Sequence, residues 1–233
     1  MALMLGIDTG GTFTDAVLVD DGASNAVVAW AKAPTTHHDL AIGVAGAVRN
    51  VLANVGCESA ATIALVSVST TLATNALVEG HGEPAGLFTF GFSRAELERT
   101  GLSVAVGPAL LVPLDGGHDA HGNERSPLDL RAIEQRAWEL AGQVSAFAVA
   151  AQFSVRNPGH EQEAAELIRS VTGLPVTSSH ELSAKLDGPR RALTAALNAR
   201  LLGTIDRLNV AVATVLADNS IDAPLMVVRG DGS

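Results

Sequence analysis

Asp8-Thr9-Gly10-Gly11-Thr12-Phe13-Thr14-Asp15 follows directly on the apolar stretch Leu3–Ile7. A carboxylate at a strand end, two glycines in a turn and hydroxyls at alternate positions suit a loop around phosphate and its metal. Gly10 and Gly11 leave no Cβ between backbone N–H groups and an anion. Thr12 and Thr14 share parity, so an extended chain presents both hydroxyls on one side. Asp8 suits Mg²⁺, directly or through water, because hard cations prefer carboxylate oxygen. The plainer reading is a hairpin turn, which any Gly-Gly between two strands allows. The strand in front and an acid at each end favour the nucleotide loop.

Outward from this loop, Leu3–Ile7, Asp15–Val19 and Ala26–Ala31 read as three strands. The short Gly-Gly and Asp20-Asp21-Gly22 connections between them make an antiparallel meander. Thr36 or Asp39 caps a helix with apolar positions at Leu40, Val44, Val48, Val51 and Val55, stopped by Gly56. Ile63–Val68 is a buried-type strand running into Ser69-Thr70-Thr71 and a short helix, and Ala85–Phe90 is the next strand. Three antiparallel strands followed by alternating helices and strands is the order of a ribonuclease-H-like α/β fold with a mixed sheet.

Gly91 to Asn123 is rich in Gly and Pro and weakly periodic, which predicts an excursion from the sheet. Ser126-Pro127-Leu128-Asp129 reads as a capped helix start with Asp129 at the third position. Val144–Ala151 is strand-like, and Asn157-Pro158 opens a helix that Gly173 ends. Leu174–Val176 is a short strand. Pro189 starts a long helix with a core stripe at Leu193, Leu197, Leu201, Ile205, Leu208, Val212 and Leu216, before a last strand over Pro224–Val228. The expected organisation is a nucleotide-binding core over 1–90, an inserted excursion and helix over 91–143, and the remainder over 144–233. A glycine-rich turn after an apolar strand at Arg229–Ser233 suggests a shortened chain or one half of a two-lobed protein, the plainer reading being a frayed tail after a closing strand.

Composition narrows the function. The formal net charge of -10, with Lys32 and Lys185 the two lysines, repels polyanions and argues against nucleic acid or an anionic membrane as partner. ATP held by backbone N–H groups and magnesium is still compatible. Cys57 is the one cysteine, so no internal disulfide forms and a reducing cytoplasm is expected. No apolar run reaches membrane-spanning length, and no basic-then-apolar leader opens the chain. Neither a Walker-type Gly-x-x-x-x-Gly-Lys loop, a Gly-x-Gly-x-x-Gly loop nor a Gly-x-Ser-x-Gly elbow occurs. His118, Asp119 and His121 invite a metal reading, but without further paired His or Cys a solvated glycine-rich turn is the better one.

Ile7–Asp15 resembles the first phosphate motif of the actin-like ATPase superfamily, and Phe13-Thr14-Asp15 narrows this to the hydantoinase/oxoprolinase family. Ser69–Leu77 resembles that family's second block. Arg191–Ala199 resembles its third, and Asp222–Leu225 with Gly230-Asp231-Gly232 its fourth. Two departures stand out: many members have His-Gly-Thr-Thr where Val68-Ser69-Thr70-Thr71 stands here. Asp187-Gly188-Pro189 replaces acidic and aromatic residues before Arg191.

The resemblance implies ATP-driven, Mg²⁺-dependent opening of a cyclic amide such as 5-oxoproline or a hydantoin. It implies a missing second lobe and a partner hydantoinase subunit. On the matching positions it assigns Asp8 to the metal and Gly10 and Gly11 to phosphate. Thr12 and Thr14 supply hydroxyls, with Asp8 and Thr12 in the catalytic roles. Asp15 is either a second metal-shell carboxylate or a turn cap. Thr70 and Thr71 open a helix and suit anion binding or plain capping. Asn75 and Arg191 are substrate-binding candidates. The rival functions are a small-metabolite kinase of the same superfamily and a non-catalytic regulatory subunit.

Overall fold

The computed structural model describes residues 3–22, 26–36, 39–70 and 82–228, and the chain divides into two compact units. The first comprises residues 1–81 and 204–233, the second 82–203. The cuts therefore fall at 81/82 and 203/204, where sequence had drawn them at 90/91 and 143/144. Both units are mixed α and β, one around a mixed sheet and the other around a parallel one.

In the first unit β1 (Leu3–Thr9), β2 (Phe13–Asp20) and β3 (Ala26–Pro34) form the expected antiparallel meander. β4 (Ile63–Thr70) adds in parallel to β1, and the last strand, β9 (Leu225–Val227), in parallel to β4. The order is β3-β2-β1-β4-β9. Alternation decides which face is buried. Leu5, Ile7, Ala16, Leu18, Ala31, Ala33, Val66 and Val68 point into one core with α1 (Leu40–Ala53). Asp39, not Thr36, is the cap, its side chain accepting from the Ala41 amide. Each fully buried Val on α1 contributes roughly 1.5–3 kcal/mol. Gly43 lets α1 approach the end of β3: a Cβ there would stand 2.9 Å from the Pro34 carbonyl oxygen.

The second unit is built on β5 (Ala85–Phe90), β6 (Leu111–Leu114), β7 (Ala146–Ala151) and β8 (Val176–Ser178), all parallel, in the order β6-β5-β7-β8. β5 and β7 are buried at every position, as strands covered on both faces must be. Phe88, Phe90, Phe147 and Val149 face α4 (Leu130–Leu140) and α5 (Gly159–Thr172). Ala146, Ala148 and Ala150 face the alanines of α7 (Gly188–Asp218), namely Ala192, Ala195, Ala196 and Ala199. Small side chains on both surfaces let helix and sheet approach closely.

Four expectations change here. Ala85–Phe90 does not extend the first sheet but starts a second one. The supposed excursion holds α2 (Arg94–Arg99), α3 (Leu102–Val106) and β6. These elements are too short to show periodicity, and Pro113 is tolerated because β6 is an edge strand. Asp129 is the N-cap of α4 rather than its third residue, accepting from the Ala132 amide. On α7 the alanines, not Leu193 and Leu197, are the fully buried residues of the first turns. Steps of four residues drift about 40° around a helix at each repeat, so the first half of the stripe turns off the contact face, whereas Leu208, Val212 and Leu216 are buried in the first unit's core as expected. No described helix is long and apolar enough to cross a membrane.

Candidate functional site

The turn between β1 and β2 is tight: Gly10 donates its amide to the Phe13 carbonyl at 3.0 Å. Register then fixes the neighbours. Asp8 lies opposite Asp15 on β2 and beside Ser69 on β4, while Thr9 pairs with Thr14 and Thr70. Two polar rows result, one on each face of the sheet.

On the face away from the core, Lys32, Asp15, Asp8 and Ser69 stand side by side across four strands. Lys32 Nζ meets Asp15 Oδ1 at 3.2 Å and lies 5.0 Å from the centre of the Phe13 ring. Ser69 Oγ donates to Asp8 Oδ1 at 2.7 Å. Asp8 is exposed, and its Oδ2 takes no hydrogen bond from the described residues. On the core face Thr14 is fully buried and its hydroxyl bonds that of Thr35 at 3.0 Å. Thr70 Oγ1 donates to the Thr9 carbonyl at 2.9 Å.

Seven of the predicted residues are thus gathered at this edge: Asp8, Gly10, Gly11, Thr12, Thr14, Asp15 and Thr70. Thr12 and Thr14 do not act as the same-facing pair that parity suggested. Thr12 precedes β2 and is exposed, its carbonyl accepting from the Thr35 amide, whereas Thr14 is interior. Thr71 and Asn75 lie outside the described residues. Asp15 sits within β2 with Lys32 as its partner, so it does not cap the turn.

Could the edge hold magnesium? Among the described residues no three His, Cys, Asp or Glu side chains converge as a metal cage. Mg²⁺ needs none, because it keeps several waters and binds one or two carboxylates plus substrate phosphates. One exposed carboxylate with a free oxygen beside a glycine turn fits that donor set.

Arg191 belongs to the second unit and is 2% exposed. Its guanidinium donates to the Lys185 carbonyl at 2.6 Å, the Ala151 carbonyl at 3.2 Å and Ser154 Oγ at 3.0 Å. Next to it, buried Glu161 accepts four hydrogen bonds. They come from the Ala151 amide (2.7 Å), Ser179 Oγ (2.6 Å), the His180 amide (2.9 Å) and His180 Nδ1 (2.7 Å). Burial pushes the Glu161 carboxyl up, but its hydrogen bonds, first that from His180, outweigh it and hold the group below its ordinary value. The same hydrogen bond with Glu161 raises the His180 imidazole. Sequence missed this cluster because Glu161 and His180 lie on α5 and at the start of α6 (Ser179–Leu182), 19 residues apart with no motif joining them.

The His118–His121 segment is a turn: Asp119 accepts from the His121 and Asn123 amides and from Asn123 Nδ2. Those contacts, with the Asn123 side chain first, lower its carboxyl to about 2. His118 is buried under it, its ring centre 4.4 Å from that of His160. A groove of about 480 Å³ lined by Phe92, Leu97, Pro108, Leu111 and Pro113 contains none of the predicted site residues.

The model of the hydantoinase/oxoprolinase N-terminal region matches residues 4–172. The chain belongs to the hydantoinase/oxoprolinase family. Among family relatives, caprolactamase subunit alpha of Pseudomonas jessenii is 31% identical, across 98% of this chain and 35% of that subunit. The acetophenone carboxylase gamma subunit of Aromatoleum aromaticum is 33% identical, across 84% and 30%. The crystal structure of the ATP-dependent caprolactamase from P. jessenii superposes with a TM-score of 0.76 at 30% identity, over 96% of this chain and 35% of that one. Nucleotide-free acetone carboxylase shares the fold, with a TM-score of 0.73 at 21% identity over 97% and 36%. The chain therefore spans about a third of the length of these relatives.

Proposed function

We propose that this chain is the nucleotide-handling N-terminal portion of an ATP-dependent enzyme that opens a cyclic amide, a lactam or a hydantoin. The observation that carries the reading is Asp8: exposed, oriented through one oxygen, and open at the other beside the Gly10-Gly11 turn. Three antiparallel strands followed by a parallel one support a ribonuclease-H-like first unit. The family and the caprolactamase likeness support the amide substrate and ATP.

Amide resonance protects a lactam carbonyl from water. Transfer of a phosphoryl group to its oxygen makes that oxygen a leaving group and the carbon an electrophile. Such transfer depends mainly on positioning and charge neutralisation. Asp8 would hold Mg²⁺, whose charge offsets that of the phosphates. The backbone of Gly10 and Gly11 and the exposed hydroxyl of Thr12 would meet the phosphates. Thr14 and Thr70 hold the turn from the core side, and Arg191 anchors the second unit rather than a substrate carboxylate. A second lobe and a partner subunit complete the enzyme in this reading, since the relatives are longer and are described as subunits.

The test is phosphate release from ATP by the full-length protein with lactams, hydantoins, sugars and ketones. Lactam- or hydantoin-dependent release with a ring-opened product is expected. A phosphorylated, unopened product would make it a kinase. Release that depends on ketones would favour carboxylation, to which the acetophenone carboxylase likeness points.

A further inference from the structure

Asp8 and Asp15 are direct cross-strand neighbours on one face, and like charges so placed repel each other. The strands on either side treat the two carboxylates differently. Lys32 on β3 meets Asp15 with a cation, while Ser69 on β4 meets Asp8 with a neutral hydroxyl. Asp15 therefore faces a cation, while Asp8 faces a neutral donor that fixes one oxygen and leaves the other open.

A serine hydroxyl bound to one oxygen of a carboxylate stops its rotation and selects which oxygen faces outward. Losing a group that orients a metal ligand in this way typically costs about 10–100-fold in metal affinity or activity. Ser69 reaches Asp8 because β4 runs parallel to β1 with these two residues in register.

We propose that Ser69 is a positioning residue for Asp8, presenting Oδ2 to a divalent cation that accompanies ATP, while Lys32 withholds Asp15 from that cation. This rests on the reading of Asp8 as a cation ligand. Ser69 itself touches neither the cation nor the phosphates.

The test is Mn²⁺ binding to the full-length protein with ATP, followed by electron paramagnetic resonance, together with the metal dependence of phosphate release. Ser69→Ala is expected to weaken Mn²⁺ binding about tenfold or more, raising the metal requirement while kcat at saturating metal changes little. Ser69→Thr, which keeps the hydroxyl and suits a strand, is expected to restore affinity. Melting temperatures show that both variants fold. Unchanged Mn²⁺ affinity in Ser69→Ala, or no recovery in Ser69→Thr, would overturn the proposal while Asp8→Asn still loses the metal. If Asp8→Asn binds Mn²⁺ as well as the unaltered protein, the Asp8 reading fails and this proposal falls with it.

Discussion

Two carboxylates, one in each unit, show how the same chemical group is used for opposite ends. Glu161 is 0% exposed and all four of its hydrogen bonds come from the protein itself. Asp8 is exposed at a strand end and holds a single hydroxyl. A buried charge survives only when its partners are complete, and a complete set leaves nothing for a ligand. An exposed carboxylate with a spare oxygen stabilises little and is open to chemistry. The Glu161 cluster is built as scaffold, and the Asp8 edge has the open oxygen that the proposed site requires.

The contrast breaks if Glu161 can be lost cheaply. Glu161→Ala strands Ser179, His180 and the Ala151 amide, and is expected to destabilise the second unit by about 3–5 kcal/mol. Hydrogen exchange across β7 and α6 is the measurement, since a two-unit chain does not guarantee one unfolding transition. Asp8→Asn should do the reverse. It is expected to lower ATP turnover in the full-length protein about 100-fold, near 2.7 kcal/mol, with exchange protection unchanged. Arg191→Met, which removes the donors to the buried Ala151 carbonyl and the Lys185 carbonyl, is expected to cost about 2–3 kcal/mol of stability without a selective rise in substrate KM. A rise in KM at unchanged stability would return Arg191 to the substrate site.

pH sharpens the same comparison. The folded His180 value is raised above 6.5, first by its hydrogen bond with Glu161. Its contribution to stability is thus fully present below pH 6.5 and lost as pH rises through the folded value. Glu161 is lowered below 4.5, so its contribution is present above pH 4.5 and lost as pH falls through its folded value. Thermal melts from pH 3 to 9 are expected to show both slopes, and His180→Asn to flatten the upper one. The smallest effect belongs to Lys32→Gln: the pair with Asp15 is about half exposed, so its loss is expected to change stability by less than about 0.5 kcal/mol.

The first unit was legible because its signals are local. Alternation in β1 to β3, the Gly-Gly turn and the α1 periodicity all lie within short windows, and the first family block lies at the same edge. What escaped were facts of register and long range. Ser69 and Asp8 meet only because β4 joins β1 in parallel, 61 positions later. Parity placed Thr14 beside Thr12, yet parity says nothing about which face is core, and Thr14 proved interior. The second sheet was harder because β6 and β8 have four and three residues, too few to show a period. No motif marks Glu161, and Arg191 reads as a substrate-binding candidate, because burial of a charge depends on partners that sequence does not bring together.

The measurement that tests the account most directly is a structure of the full-length protein with Mn²⁺ and a non-hydrolysable ATP analogue, the metal located by anomalous scattering. The account predicts manganese next to Asp8 Oδ2, bound directly or through one water, with Ser69 still on Oδ1 and Lys32 still on Asp15. A metal seated elsewhere, with Asp8 in contact with neither it nor its waters, would contradict the account.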